Sequence, residues 1–209
     1  MMKWVIDAIL LLLFAGAVFY FWNGGGVQFL QVNRQVSGIN SGTLNIPVTE
    51  NKNMEEKGFS LESSAFGYGG NIPSKYTCDG ANINPELLIK NVPEGTKTLA
   101  VIMEDPDVPK NLRADGLWVH WVHFNIPPET TKVPEGQEPG GIAGKGTGNN
   151  LKYYGPCPPD KEHRYFFKLY SLDAILWLPE GSVKKELESA MEGHVLAETV
   201  LMGRYNRNK

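Results

Sequence analysis

Four short runs between Glu104 and Tyr165 hold the side chains best suited to chemistry. They read Glu-Asp-Pro-Asp at 104–107, Trp-Val-His at 118–120, Tyr-Gly-Pro-Cys-Pro-Pro at 154–159 and His-Arg-Tyr at 163–165. Imidazolium and phenol both donate hydrogen bonds, and a charge-assisted bond to an anion contributes about 1.5 to 3 kcal/mol. A carboxylate beside an imidazole fixes its tautomer and favours its charged form. Together these groups suit a pocket for phosphate or carboxylate oxygens. Anion binding by such a pocket weakens as the histidines lose protons above a reference pKa of about 6.5, shifted upward if Asp105 is close.

Strands must position these residues. Apolar runs of strand length alternate with Pro and Gly at 87–90, 98–104, 117–126, 165–172 and 195–202, which predicts a mainly β domain. One helix is predicted after Gly181, with Ser182 as its cap and Val183, Leu187, Ala190 and Met191 at helical spacing. Residues two apart on a strand face the same way. Trp118, His120, Val122 and Phe124 are therefore predicted on one face, and His123 on the other with Val119 and Trp121. This split argues against His120 and His123 as a metal chelate, because the useful pair is i, i+4 on one helix face. The same rule puts His163 and Tyr165 together, with Arg164 and Phe166 opposite. Asp105 and Asp107 should stand at the end of the 98–104 strand with Pro106 between them, where Asp107 has the alternative of capping a turn.

At 209 residues with a formal net charge of -3, the chain has room for one domain with a proper core and no general basic face for nucleic acid. Residues 4–22 are apolar apart from Asp7, with Trp4, Tyr20 and Trp22 where interfacial aromatics belong, so residues 1–22 read as a membrane anchor. Lys3 before the run puts the N-terminus in the cytoplasm and the chain beyond Asn23 outside. A cleaved secretory signal is the alternative, but Ala15, Gly16 and Ala17 sit inside the apolar run instead of after it. Both readings export the domain. Residues 23–57 open with three glycines and lack sustained periodicity, which predicts a flexible stalk. Residues 58–209 then form the domain.

In this setting the motifs resemble the phosphatidylethanolamine-binding protein (PEBP) family, in its prokaryotic Raf kinase inhibitor-like branch. The resemblance runs from about Phe59 to Arg207. Besides Asp-Pro-Asp and His-Arg-Tyr it rests on Tyr-Thr-Cys-Asp-Gly at 76–80, Asn84-Pro85, Val-Pro-Glu-Gly-Thr-Lys at 92–97, Asn-Ile-Pro at 125–127 and Gly-His-Val-Leu-Ala at 193–197. It implies a β-sandwich-like fold with a few short helices and a small cavity for phosphate, phosphorylethanolamine or similar anions. Carried over by motif, the ligand-binding residues are Asp105, Trp118, His120, Gly155, Pro156, His163 and Tyr165. Some relatives have two adjacent histidines after the tryptophan. Here Val119 precedes His120, and alignment through Asn125 gives the pocket role to His120. The C-terminal segment that partly covers the pocket in some eukaryotic members has no clear counterpart after Gly203, which implies more open access.

The two cysteines, Cys78 and Cys157, both fall in predicted loops near the pocket, and an exported domain permits a disulfide between them. Two free thiols, or a nucleophilic Cys157 working with His163, are the alternatives. The glycine-rich run 140–148 lacks phosphate-loop spacing and has Gly146 where Ser or Thr should follow lysine, so it reads as a flexible loop. The charges from Lys184 to Glu188 and the tail residues Arg204, Arg207 and Lys209 read as solvated surface. These observations favour a membrane-tethered, extracytoplasmic binding protein for a small anion, with no cofactor or metal. A hydrolase using Asp105, His120 and His163 as an acid-base or metal site is a second reading, and a kinase- or protease-inhibiting interaction protein is a third.

Overall fold

The computed structural model describes residues 58–207. The predicted anchor and stalk lie outside the described residues, among which no helix is long and apolar enough to cross a membrane. Eight strands and one α-helix are described: β1 (Ser60–Glu62), β2 (Leu87–Lys90), β3 (Thr98–Asp105), β4 (Trp118–Ile126), β5 (Lys132–Val133), β6 (Ile142–Ala143), β7 (His163–Leu172), α1 (Lys184–Met191) and β8 (Val195–Tyr205). They form a three-stranded sheet ordered β1-β2-β5 and a five-stranded sheet ordered β6-β4-β3-β7-β8. All pairings within the two sheets are antiparallel.

Side-chain alternation divides the core in two. Between the sheets, Leu61, Leu87, Ile89 and Val133 pack with Val101, Met103, Trp121, Tyr165, Phe167 and Leu169. On the other face of the larger sheet, Ala100, Ile102, Val122, Phe124 and Leu172 pack beneath Leu187 and Met191 of α1. β3, central in its sheet, is buried at every position, which matches its nearly continuous apolar run. Its one buried acid on the α1 side, Glu104, accepts from Lys168 at 2.5 Å and also from Lys184, which ties β7 and the helix to the strand. Burial works to raise the Glu104 pKa, but the two ammonium groups hold it below its ordinary value.

All five predicted strands are present, 87–90 with the same ends and the other four displaced by one to three residues at one end. β1, β5 and β6 were not legible because two or three residues carry no measurable period. The helix starts one residue later than expected. Val183 is its N-cap, its N–H given to Glu186 Oε2 at 2.9 Å, while the Ser182 hydroxyl turns back to the Pro179 carbonyl. The run 140–148 is a fitted segment and not a slack loop. Gly144 donates to Val122 and Thr147 to Val119, and a Cβ on Gly144 would fall 2.4 Å from a Val122 methyl. Its glycines serve close approach to β4.

One expectation about facing fails for a local reason. Between Met103↔Trp121 and Glu104↔Val119 the β3–β4 ladder shifts register, leaving His120 as an extra residue in β4. This bulge resets the alternation. Val119 and Val122 both join the helix-side core, while Trp121 joins the inter-sheet core and the His120 ring meets Tyr165 edge-on at 5.3 Å. Parity had grouped Val119 with Trp121 and Val122 with His120. A second shift occurs at Leu99/Val101, where Asn125 adopts φ 52° and its side chain clamps Leu176.

Candidate functional site

The end of β3, the start of β4 and the loop before β7 enclose a cavity of about 250 Å³. Asp105, Trp118 and His120 form its floor and one wall. Tyr154, Cys157 and Pro159 supply the facing loop, and Val108, Leu112 and Arg113 from the β3–β4 connection complete the rim.

The His120 ring is held by the facing loop, Nδ1 donating to the Tyr154 carbonyl at 2.7 Å. A carbonyl only accepts, so Nδ1 carries the hydrogen and the neutral ring has a bare, accepting Nε2. Burial lowers the His120 pKa to about 4, against the smaller opposing effect of the Tyr154 bond. Near neutral pH this residue is thus an acceptor, where the sequence suggested a cationic donor. Its nearest aromatic neighbours are Tyr154, stacked at 6.1 Å, and Tyr165.

The Asp105 oxygens are bonded elsewhere than to His120. Its Oδ1 accepts the Asp107 N–H at 2.8 Å, closing the turn after β3, and its Oδ2 meets His163 Nδ1 at 2.7 Å. His163 is fully buried, and its Nε2 meets Asp160 Oδ1 at 2.8 Å. Burial raises the Asp105 pKa, with the His163 bond and the Asp107 N–H pulling the other way. Asp107 faces Arg164, accepting from its backbone and its guanidinium, which holds the carboxyl below its ordinary pKa. The turn-capping role raised for Asp107 therefore falls to Asp105.

Among the described residues, Trp118 Nε1, on a cavity residue, is a buried donor without a hydrogen-bond partner, and Tyr165 Oη lies buried near the Asp105 carboxylate. Burial and the nearby Asp105 carboxylate raise the Tyr165 pKa, so the phenol keeps its hydrogen. Unpartnered buried donors are uncommon and costly, which makes Trp118 Nε1 a natural contact for a ligand atom. Arg113 stacks over the Trp118 ring with its Cζ 5.9 Å from the centroid and pairs with Asp115 through Nε and Nη2, leaving Nη1 available.

The facing loop is pinned to the segment around Cys78. A disulfide joins Cys78 to Cys157, and the Cys78 N–H donates to the Pro156 carbonyl at 3.1 Å. Gly155 donates to Asn82 Oδ1 at 2.8 Å, and a Cβ there would fall 2.3 Å from the Tyr76 carbonyl oxygen, so glycine alone fits. Gly155 and Pro156 therefore set the loop from behind and do not line the cavity.

The model of the phosphatidylethanolamine-binding protein family matches residues 62–206. The chain belongs to that family. Its relatives include a UPF0098 protein of Chlamydia muridarum, 47% identical over 148 residues that cover 71% of this chain and 99% of the relative. Another, from Methanothermobacter thermautotrophicus, is 48% identical over 153 residues, covering 70% and 98%. Among solved structures, the PEBP homologue CT736 of Chlamydia trachomatis superposes with a TM-score of 0.71 at 44% identity, covering 72% of this chain and 99% of that one. Escherichia coli YbcL, described as a new member of the mammalian PEBP family, gives 0.65 at 27% identity, covering 72% and 99%.

Of the residues that the PEBP motifs singled out, the structure brings Asp105, Trp118 and His120 to the cavity wall. His163 and Tyr165 stand behind that wall, one bracing Asp105 and the other against His120. Asp105, His120 and His163 do not converge on one open position, since both His163 nitrogens are already engaged. Arg113, Leu112 and Tyr154 were missed. Arg113 and Leu112 sit in an irregular connection with no periodicity to place them, although Tyr154 directly precedes the Gly-Pro pair. His123 is set apart by distance and partnership instead of by face, its Nε2 lying 3.0 Å from Glu138 Oε2.

The depressed His120 pKa fixes an expected pH response. An unfolded chain takes up a proton at this ring near pH 6.5 and the folded chain only near pH 4, so stability declines as pH falls through that window. The contribution is about 3 kcal/mol. His120→Asn keeps a donor for Tyr154 and removes the titration. Denaturant unfolding between about pH 4 and 7 should show a shallower acid decline in the variant than in the wild type, and parallel curves would remove His120 from the account.

Proposed function

We propose that this protein is a membrane-tethered, extracytoplasmic PEBP-family binding protein whose cavity holds a phosphate or a phosphorylated, headgroup-like anion. The observation that carries the reading is the set of open hydrogen-bonding groups on the cavity residues. Trp118 Nε1 is a buried donor without a partner, His120 Nε2 is the accepting nitrogen of a ring whose Nδ1 hydrogen is committed to Tyr154, and Arg113 stands at the rim with Nη1 to spare. Such a set suits an anion that still carries a proton, its P–OH given to Nε2 and its charged oxygens taking the indole and guanidinium hydrogens. The Cys78–Cys157 disulfide supports an oxidising compartment, in keeping with export through residues 4–22.

Since His120 stays neutral down to about pH 4, the shared proton comes from the ligand. Phosphate monoesters lose their second proton near pH 6, so affinity should decline as pH rises beyond about 6. The direction is the one expected from the sequence, but the titrating group has moved from protein to ligand. Calorimetric titration with phosphate and with phosphorylethanolamine, at several pH values, tests this. Trp118→Phe should weaken binding about ten- to a hundred-fold, the value of a bond to a charged group. Absence of binding of either compound at mildly acid pH would sink the proposal.

A further inference from the structure

At the end of the larger sheet remote from the cavity, the chain displays apolar side chains to solvent on a rigid support. The segment after β7 is anchored at alternate residues. Thr98 Oγ1 donates to the Ala174 carbonyl at 2.7 Å, and Asn125 clamps both backbone groups of Leu176 at 2.8 and 2.9 Å. Leu176 is 5% exposed, whereas its neighbours Ile175 and Trp177 are 59% and 95% exposed. Val195 and Leu196, each 44% exposed, open β8 beside this segment, joined to it by the Asp173 N–H on the His194 carbonyl at 3.0 Å. An indole fixed in this position and packed on nothing adds little to the fold. Indoles are favoured at the boundary between lipid and water, where an apolar body and an N–H are both served.

The described chain begins at the same end. The Gly58 carbonyl accepts from Asn91 at 3.3 Å, in the connection that leads into β3, and Leu196 Cδ1 lies 3.9 Å from where a Cβ on Gly95 of that connection would be. The chain thus enters the described domain at the end that carries Trp177. The cavity lies at the other end of β3, about 24 Å away over eight residues.

We infer that Ile175, Trp177, Val195 and Leu196 form a docking face for the lipid bilayer that holds the N-terminal segment, seating the domain with its cavity turned away from that bilayer. This inference rests on the membrane anchoring proposed above. It implies that the ligand reaches the cavity from solution or from an apposed surface, and not from the headgroups beneath the domain.

The test uses the full chain reconstituted in phosphatidylcholine vesicles, with an environment-sensitive fluorophore on Trp177→Cys or, as a control at the cavity end, on Lys161→Cys. The fluorophore at 177 should shift to the blue and be quenched by lipids bearing a nitroxide on the acyl chain, while that at 161 keeps its aqueous emission. Chain that co-sediments with vesicles yet shows aqueous emission at both positions overturns the docking face and leaves the anchor standing. Chain that fails to co-sediment overturns both. A change at 177 that needs no lipid and grows with protein concentration assigns the face to a second copy and overturns the inference.

Discussion

Replacing Cys78 and Cys157 together by serine is expected to cost about 4 to 5 kcal/mol of stability. The bridge spans a sequence separation of 79, and in the chain-entropy account closing a loop of that length restricts the unfolded state by this amount. The local effect adds to the global one. Cys157 lines the cavity, and its loop supplies the Tyr154 carbonyl that sets the His120 tautomer. Without the bridge, only such contacts as the Cys78 bond to Pro156 and the Gly155 bond to Asn82 hold the loop against the 76–82 segment. Denaturant unfolding of the double variant, with reduction of the wild type in parallel, reads the loss directly. A change below about 1 kcal/mol would mean that the bridge is incidental.

The second large effect is expected at His163. Truncating it to alanine removes the donor from Asp105 Oδ2 in a site where both residues are almost wholly buried. Leaving a buried carboxylate without its partner costs about 3 to 5 kcal/mol where it stays charged. Burial already raises the Asp105 pKa, and loss of His163 raises it further. An acid with a raised folded pKa binds its proton more tightly when folded, so stability falls as pH climbs above its unfolded value near 4. His163→Ala should thus be most damaging at neutral pH and recover in part near pH 5, with His163→Asn, which keeps one donor, in between. Anion affinity should drop alongside, since Asp105 forms part of the cavity floor. Equal destabilisation at both pH values would show that the loss is packing alone.

The sequence made the fold legible wherever a run was long enough to show a period. β2, β3, β4, β7 and β8 each carry apolar patterns bounded by Pro, Gly or Asn, and α1 has its buried Leu187 and Met191 four apart. The short strands could be seen only from their partners, since the pairing of Leu87 with Val133 depends on a fold already formed.

For the site, the motifs singled out residues that lie in or beside one cavity, and strand parity misjudged the facing of some of them. Strict alternation is broken at His120 because β4 there holds an extra residue, which no pattern in Trp-Val-His-Trp announces. His163 and Tyr165 do share a face, yet they stand one layer behind the cavity. Asp160, directly after the Pro-Cys-Pro-Pro run, takes the second His163 nitrogen. Linear spacing could not show that both histidine nitrogens were committed. Nor could it show that the two histidines divide into a neutral acceptor at the wall and a brace behind it, because burial decides that division.

The central claim is that the cavity bounded by Asp105, Trp118 and His120 is the ligand site. A high-resolution crystal structure of the protein soaked with phosphorylethanolamine at mildly acid pH tests it most directly. The phosphoryl group is expected in this cavity, its oxygens within hydrogen-bonding distance of Trp118 Nε1 and His120 Nε2. A cavity that stays empty, or holds only water, while the compound occupies another surface would contradict the account.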